Sequence, residues 1–173
     1  MNGVYCLCVN IIGEFLSENS TEEQRVLLNR VLGQRVSAAL SCSDATGKLR
    51  VEDLLRTLSI MKEHDIGDAR EIGRFVMAHL VLKYAPKTHR FIRHQELENL
   101  AGIIWRMLFS GGNLTVSQDQ NGIRYRLENF PIARSHEELF SDYLAGMLEK
   151  GHETQRVSVR CTGPGSFEAL VPV

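Results

Sequence analysis

Residues 114–127 read LTVSQDQNGIRYRL, apolar and polar side chains alternating on either side of Asn121-Gly122. Alternation with period two marks a strand with one buried face. An Asn-Gly pair between two such runs is the strongest short-range signal for a hairpin, because both residues tolerate positive φ. A two-residue Asn-Gly loop pairs Gln120 with Ile123, Gln118 with Tyr125 and Val116 with Leu127. Cross-strand partners point the same way, so Val116, Ile123, Tyr125 and Leu127, with Leu114, form one apolar face. An antiparallel sheet of this kind packs one side on helices and leaves the other to water.

Outward from the hairpin, the remaining elements fall into order. RVSVRC (156–161), the turn TGPG and SFEALVPV (166–173) form a second hairpin. In it Val157, Val159 and Cys161 alternate, as do Phe167, Ala169 and Val171, and its register is left open. Between the hairpins, residues 136–150 carry a helical pattern. Upstream, helices are expected over 4–17, from a Ser20–Glu23 capping box to about Leu40, over 50–62, over 69–84 and over 95–109. HDIGD separates the third and fourth of these, and SGGN ends the last. The expected fold is α+β, one domain over 1–173. N-terminal helices pack on an antiparallel four-stranded sheet in the order α-α-α-α-α-β-β-α-β-β.

Composition narrows the function. The 173 residues are 43% hydrophobic and 24% charged, enough to build a core without disulfides or metal. Net charge is −1, so the basic excess of a phosphate-gripping nucleic-acid binder is missing. Four scattered cysteines suit a reducing compartment better than a disulfide scaffold. The apolar start is interrupted by Asn10, Gly13 and Glu14 and reads as a first helix, not a signal peptide. Asn2 gives no myristoylation signal.

DYLAGMLEKG (142–151) raises a separate question, since Gly146 costs a helix roughly 1 kcal/mol relative to Ala. On a helical wheel Leu139, Phe140, Tyr143, Leu144, Met147 and Leu148 form the apolar side. Glu138, Asp142, Ala145 and Glu149 form the other, with Gly146 at the border. The missing side chain admits a close neighbour, either another element of this domain or a partner subunit.

Reactive constellations are absent from the pattern. There is no phosphate loop and no Gly-x-Ser-x-Gly elbow. The six histidines show no metal-type pairing, and Cys6 and Cys8 lack a second pair. The sequence predicts no catalytic residue, metal or cofactor, and no enzyme.

Four segments, in order, resemble α/β subunits of the TRAPP vesicle-tethering complex, a group that includes four-vinyl-reductase-like domains. They are NRVLGQRVSAAL, LENLAGIIWRMLFSGG, RYRLENFPI and DYLAGMLEKG with the strand after it. Residues 43–95 then read as a helical insertion. The resemblance implies a non-catalytic subunit of a TRAPP-like tether and Rab guanine-nucleotide-exchange complex in ER-to-Golgi transport. Its partners would be related α/β subunits in a heterodimer and, through the assembled complex, a Rab-type GTPase. The chain would be cytoplasmic and peripheral on ER and Golgi membranes, without nucleic acid. Gly33, Trp105, Ala145 and Gly146 become candidate close-packing or subunit contacts. Cys42 becomes a candidate acylation site, against the plainer reading of a small loop cysteine. Lys83, Lys87, Arg90 and Arg93 are either a solvated loop or a contact for anionic lipid or an acidic partner. The alternative is a small-molecule-binding sensor domain of the four-vinyl-reductase type, with a pocket between helices and sheet.

Overall fold

The computed structural model describes residues 3–41, 48–84, 94–154 and 157–172; of residues 6, 41, 48, 81–84 and 94–99 it describes the backbone alone. A short strand, β1 (Val4–Tyr5), leads into α1 (Cys6–Asn19), α2 (Glu22–Leu32) and α3 (Gln34–Ser41). Strand β2 (Lys48–Leu49) precedes α4 (Val51–Glu63), α5 (Ala69–Tyr84) and α6 (His94–Leu108). Then come β3 (Asn113–Asp119), β4 (Gly122–Glu128), α7 (Glu137–Gly151), β5 (Ser158–Gly163) and β6 (Ser166–Val171). The α+β arrangement is the one the sequence predicts.

The two hairpins join into one antiparallel sheet of order β3-β4-β6-β5, with the ribbons zipped through β4 and β6. The first hairpin differs from expectation by two residues in register. Asp119 pairs with Gly122, Gln118 with Ile123, Val116 with Tyr125 and Leu114 with Leu127. The cause is local: an Asp119 carboxylate oxygen accepts from the Asn121 N–H at 2.7 Å, so the loop turns at Gln120-Asn121. Gly122, at φ 139°, becomes the first residue of β4, where a side chain would overlap the Val171 carbonyl. An even shift leaves every side chain on its predicted face. In the second hairpin Val159 pairs with Ala169 and Cys161 with Phe167, which keeps the expected alternation; a bulge follows between Cys161 and Gly163, and Cys161, on the edge strand, is exposed.

The helical layer also departs in places from the pattern. The capping box is Thr21–Gln24, one residue later than predicted, with both reciprocal bonds made. The expected single helix to Leu40 breaks at Gly33, whose φ of 79° and ψ of 163° are not helical. Residues 51–84, part of the segment read as an insertion, form α4 and α5 and send Leu54, Leu58, Met61, Ile72 and Val76 into the main core.

That core closes around aromatic rings contributed by α6, α7 and the sheet side. Trp105 lies on Phe109 with centroids 4.4 Å apart, and Phe130 stacks on Phe140 at 4.7 Å. Phe167 meets Phe140 edge-on at 5.4 Å. The Trp105 Nε1–H donates to the Gly111 carbonyl at 2.9 Å, satisfying the polar atom of a buried ring. The chain start is held to the end of α6, where Ser110 N donates to the Gly3 carbonyl and Val4 bridges Phe109.

Helices α5 and α7 cross at backbone contact. A methyl group on Gly146 would overlap the Arg70 carbonyl, and one on Gly73 would overlap the Tyr143 carbonyl. Part of the face of α7 expected to be polar is therefore buried: Ala145 is 3% and Glu149 2% exposed, while Glu138 is exposed and Asp142 half-buried. Glu149 is matched to this burial. It accepts from Arg74 at 2.6 and 2.9 Å, pairs with Arg70 at 2.8 Å, and accepts from the Val157 N–H at 3.3 Å. Arg70 in turn donates to the Val157 carbonyl at 2.6 Å, tying both helices to the start of β5. Burial opposes the Glu149 charge, but Arg74, the Val157 N–H and Arg70 outweigh it and hold the carboxyl below the ordinary carboxylate range.

Two outcomes follow. Gly146→Ala should lower stability by about 3 kcal/mol, an overpacking cost, because a backbone carbonyl cannot rotate away as a side chain can. Gly102→Ala, with only the far end of Arg106 near it, should stay within about 1 kcal/mol of wild type. Urea titration of both variants checks this. For Glu149→Gln we expect a loss of about 2 kcal/mol at neutral pH, modest because Arg70 and Arg74 are part-exposed. A carboxyl depressed in the folded state adds stability above its unfolded pKa and loses it as pH falls through its folded pKa. The gap to wild type should therefore start to shrink below about pH 4 and close at lower pH. Thermal melts of both proteins across acid pH measure that gap.

Candidate functional site

A cleft of about 320 Å³ opens where α1, α2 and α3 meet. The break at Gly33 creates it: α2 ends, the chain turns, and α3 returns against α1. Leu16 and Leu28, 6% and 2% exposed, supply buried apolar wall. Ser17, Arg25, Asn29 and Ser37 add polar groups around it. Several are already engaged. Ser17 Oγ donates to the Glu14 carbonyl at 2.8 Å, Arg25 pairs with Glu22 at 2.7 Å, and Ser37 Oγ donates to the Asn29 carbonyl at 3.3 Å. The lining holds no His, Cys, Asp or Glu. Such a cleft can bind a small molecule with an apolar body and a few hydrogen-bonding groups, and it has no general acid or base. A second hollow of about 300 Å³ is lined by α2 alone and is a helix flank.

The groups able to ligate or react sit elsewhere. Cys8 and Tyr143, both fully buried, share a hydrogen bond of 3.2 Å between α1 and α7. Burial drives the Cys8 thiol up to about 12, against a smaller opposing pull from Tyr143, and pushes the Tyr143 phenol well above its ordinary range. The Tyr125 hydroxyl bonds His152 Nε2 at 2.6 Å, and burial lowers the His152 pKa. His79 contacts the Phe75 carbonyl through Nδ1 at 3.0 Å and the Glu14 carboxylate through Nε2 at 3.5 Å. Among the described residues no group of three His, Cys, Asp or Glu could hold a metal ion. On the sheet face turned from the helices, Arg124, Arg126 and Arg160 surround Glu168.

The residues singled out in the sequence have mostly local roles. Gly33 is the α2–α3 turn, with nothing near its Cα hydrogens, and Trp105 is 7% exposed in the aromatic core. Ala145 and Gly146 face α5 within the same chain. Lys83 lies in α5, described by its backbone alone; Cys42, Lys87, Arg90 and Arg93 lie outside the described residues. Among the described residues no helix is long and apolar enough to cross a membrane. The cleft and the Arg70–Arg74–Glu149 bridge escape the sequence reading. The only available trace of the bridge is a Gly-Arg pair in α5, facing a Gly that precedes a Glu by three positions in α7.

No protein-family model and no curated protein matches this sequence. Solved structures do resemble its fold along nearly the whole chain. An Fe(II) unliganded mutant H-NOX protein from K. algicida has a TM-score of 0.69 at 8% identity, covering 97% of this chain and 95% of its own. A structure described as probing heme distortion in the H-NOX family has 0.62 at 13% identity, with 96% and 95% covered. An oxygen-binding H-NOX domain related to soluble guanylate cyclases, in its oxygen complex, has 0.61 at 12% identity, with 93% and 89% covered. At such identity the likeness is one of fold.

It overturns the TRAPP resemblance, and with it the tethering function, the ER–Golgi role and the related-subunit and Rab-type partners. The motifs behind that reading are small-residue pairs and a helix followed by a strand, which any helices packed on an antiparallel sheet will show. Gly146 needs no second chain, since α5 occupies its open side.

Heme is named for some of these structures, so its fit here is a fair question. A heme iron is held by a His, Cys thiolate, Met or Tyr beside an apolar slot. The described cleft has none of these donors in its lining. That cleft does not fit the group.

One chemical outcome tests the buried pair. In the native protein, iodoacetamide should label exposed Cys161 at an ordinary rate and leave Cys8 unmodified until the chain unfolds. Peptide-resolved mass spectrometry reads both; rapid native labelling of Cys8 would show that the α1–α7 contact opens.

Proposed function

We propose that this chain is a small-molecule-binding sensor domain, with no catalytic step of its own. The observation that carries the reading is the whole-length likeness to H-NOX proteins, one of them an oxygen-binding domain. The chemistry agrees with it: the cleft offers binding groups without an acid, base or nucleophile. A ligand held in the α1–α2–α3 cleft would stabilise whichever arrangement of these helices binds it more tightly. A sensor works this way, by a difference in affinity between two states.

Native mass spectrometry of the purified chain tests this. The expected spectrum contains a second species, heavier by one small molecule, which denaturation removes. Ala38→Phe, which fills the cleft from α3, should abolish that species while leaving the circular dichroism of the fold intact. A bare chain mass, with no shift in Tm across a panel of small molecules and hemin, would end the reading.

A further inference from the structure

We propose that the outer flank of α2 is a self-association face, on which a second copy of this chain docks antiparallel. The inference goes beyond the sensor reading and does not depend on it.

Helix α2 buries Leu28 and Leu32 and turns its opposite side to water. On that side Glu23, Val26, Leu27 and Arg30 fall at spacings of three, four and seven, so they form one stripe along the helix. The middle of the stripe is apolar. Among the described residues four large hydrophobic side chains are more than a third exposed, and two of them, Val26 at 50% and Val31 at 37%, belong to this one helix. Scattered singly, such residues need no explanation; gathered on one flank, they do. The flank is also concave, since Glu22, Glu23, Val26, Leu27 and Arg30 line the hollow of about 300 Å³.

The ends of the stripe carry opposite charge. Glu23 lies in the first turn and Arg30 in the last, each where the helix dipole favours it. Two turns, roughly 11 Å, separate them. Glu22 is already taken by Arg25 at 2.7 Å, whereas among the described residues no ion pair engages Glu23 or Arg30, and both are exposed.

An acid, two apolar residues and a base in this order complement themselves in one orientation. A twofold axis between Val26 and Leu27 sets Glu23 opposite the partner's Arg30 and Arg30 opposite the partner's Glu23, with Val26 against the partner's Leu27 at the centre. Parallel docking would set Glu23 against the partner's Glu23 and Arg30 against the partner's Arg30, a repulsive arrangement. The charges thus select both the occupant, a copy of the same face, and its direction. A helix of 11 residues is short, and its flank is small beside the roughly 800 Å² per partner of a standard interface, so the dimer is weak and reversible.

Sedimentation equilibrium of the whole chain tests this. We expect a monomer–dimer equilibrium that shifts toward monomer as salt rises. Glu23→Arg and Arg30→Glu, each alone, place like charges at both ends of the contact and should weaken the dimer roughly tenfold. An equimolar mixture of these two variants should associate again, because one carries two bases and the other two acids. The chain with both changes should associate like wild type. Val26→Ser, which leaves the charges alone, should weaken association too, and circular dichroism of each variant should match wild type. A wild-type mass that stays monomeric up to about 1 mM overturns the inference. So does a dimer that the single variants leave unchanged, or a mixture of the two that stays monomeric.

Discussion

Helices α5 and α7 meet where neither has a side chain, and the rest of the molecule is arranged around that contact. Gly73 lies against the Tyr143 carbonyl and Gly146 against the Arg70 carbonyl, so each helix brings its glycine to the other's backbone. Close approach puts the Glu149 carboxylate within reach of both Arg70 and Arg74, and the same carboxylate receives the Val157 N–H. A single buried charge thus joins two helices and the entry to β5. Had the helices stood a side chain further apart, Glu149 would be buried without its partners, a costly state.

From this crossing the order of the other layers follows. With α7 held on α5, its Phe140 and Tyr143 point into the space shared with α1 and α6, where Cys8, Phe109 and Phe130 complete the filling. The sheet closes that space through Phe167 and Leu127, while its opposite face stays polar around Glu168 and three arginines. A helical layer, one ring-filled seam and a one-sided sheet account for the likeness to H-NOX structures at an identity of only 8–13%. Layer geometry depends on where apolar faces and glycines fall, and many sequences satisfy those conditions. Metal chemistry depends on one donor at one place, and Cys8, Tyr143, His79 and His152 are bonded within the fold.

Much of the sheet was legible because a strand's information is local. Alternation around Asn121-Gly122 placed every side chain on its correct face even though the Asp119 cap moved the register by two. Helix ends were legible in SGGN and, to within one residue, at the cap of α2. The Glu149 end of the polar side of α7 was misread for a physical reason: a wheel assumes that charge faces water, and Glu149 is buried because two arginines, the nearer 75 residues away in the chain, come to meet it. The functional family was misread for the related reason that small-residue pairs report close packing without saying which helix fills the gap. The cleft arises from a single backbone turn at Gly33, which a continuous helical pattern concealed.

The central physical claim is that α5 and α7 behave as one unit. Native-state hydrogen exchange measures this directly, because amides that open only with the whole fold exchange with the global unfolding free energy. Amides of α5 from Gly73 to Met77 and of α7 from Tyr143 to Glu149 should share that highest protection and lose it together as urea is added. If α5 opened at a markedly lower free energy while α7 and the sheet stayed protected, the crossing would not be what holds the structure together.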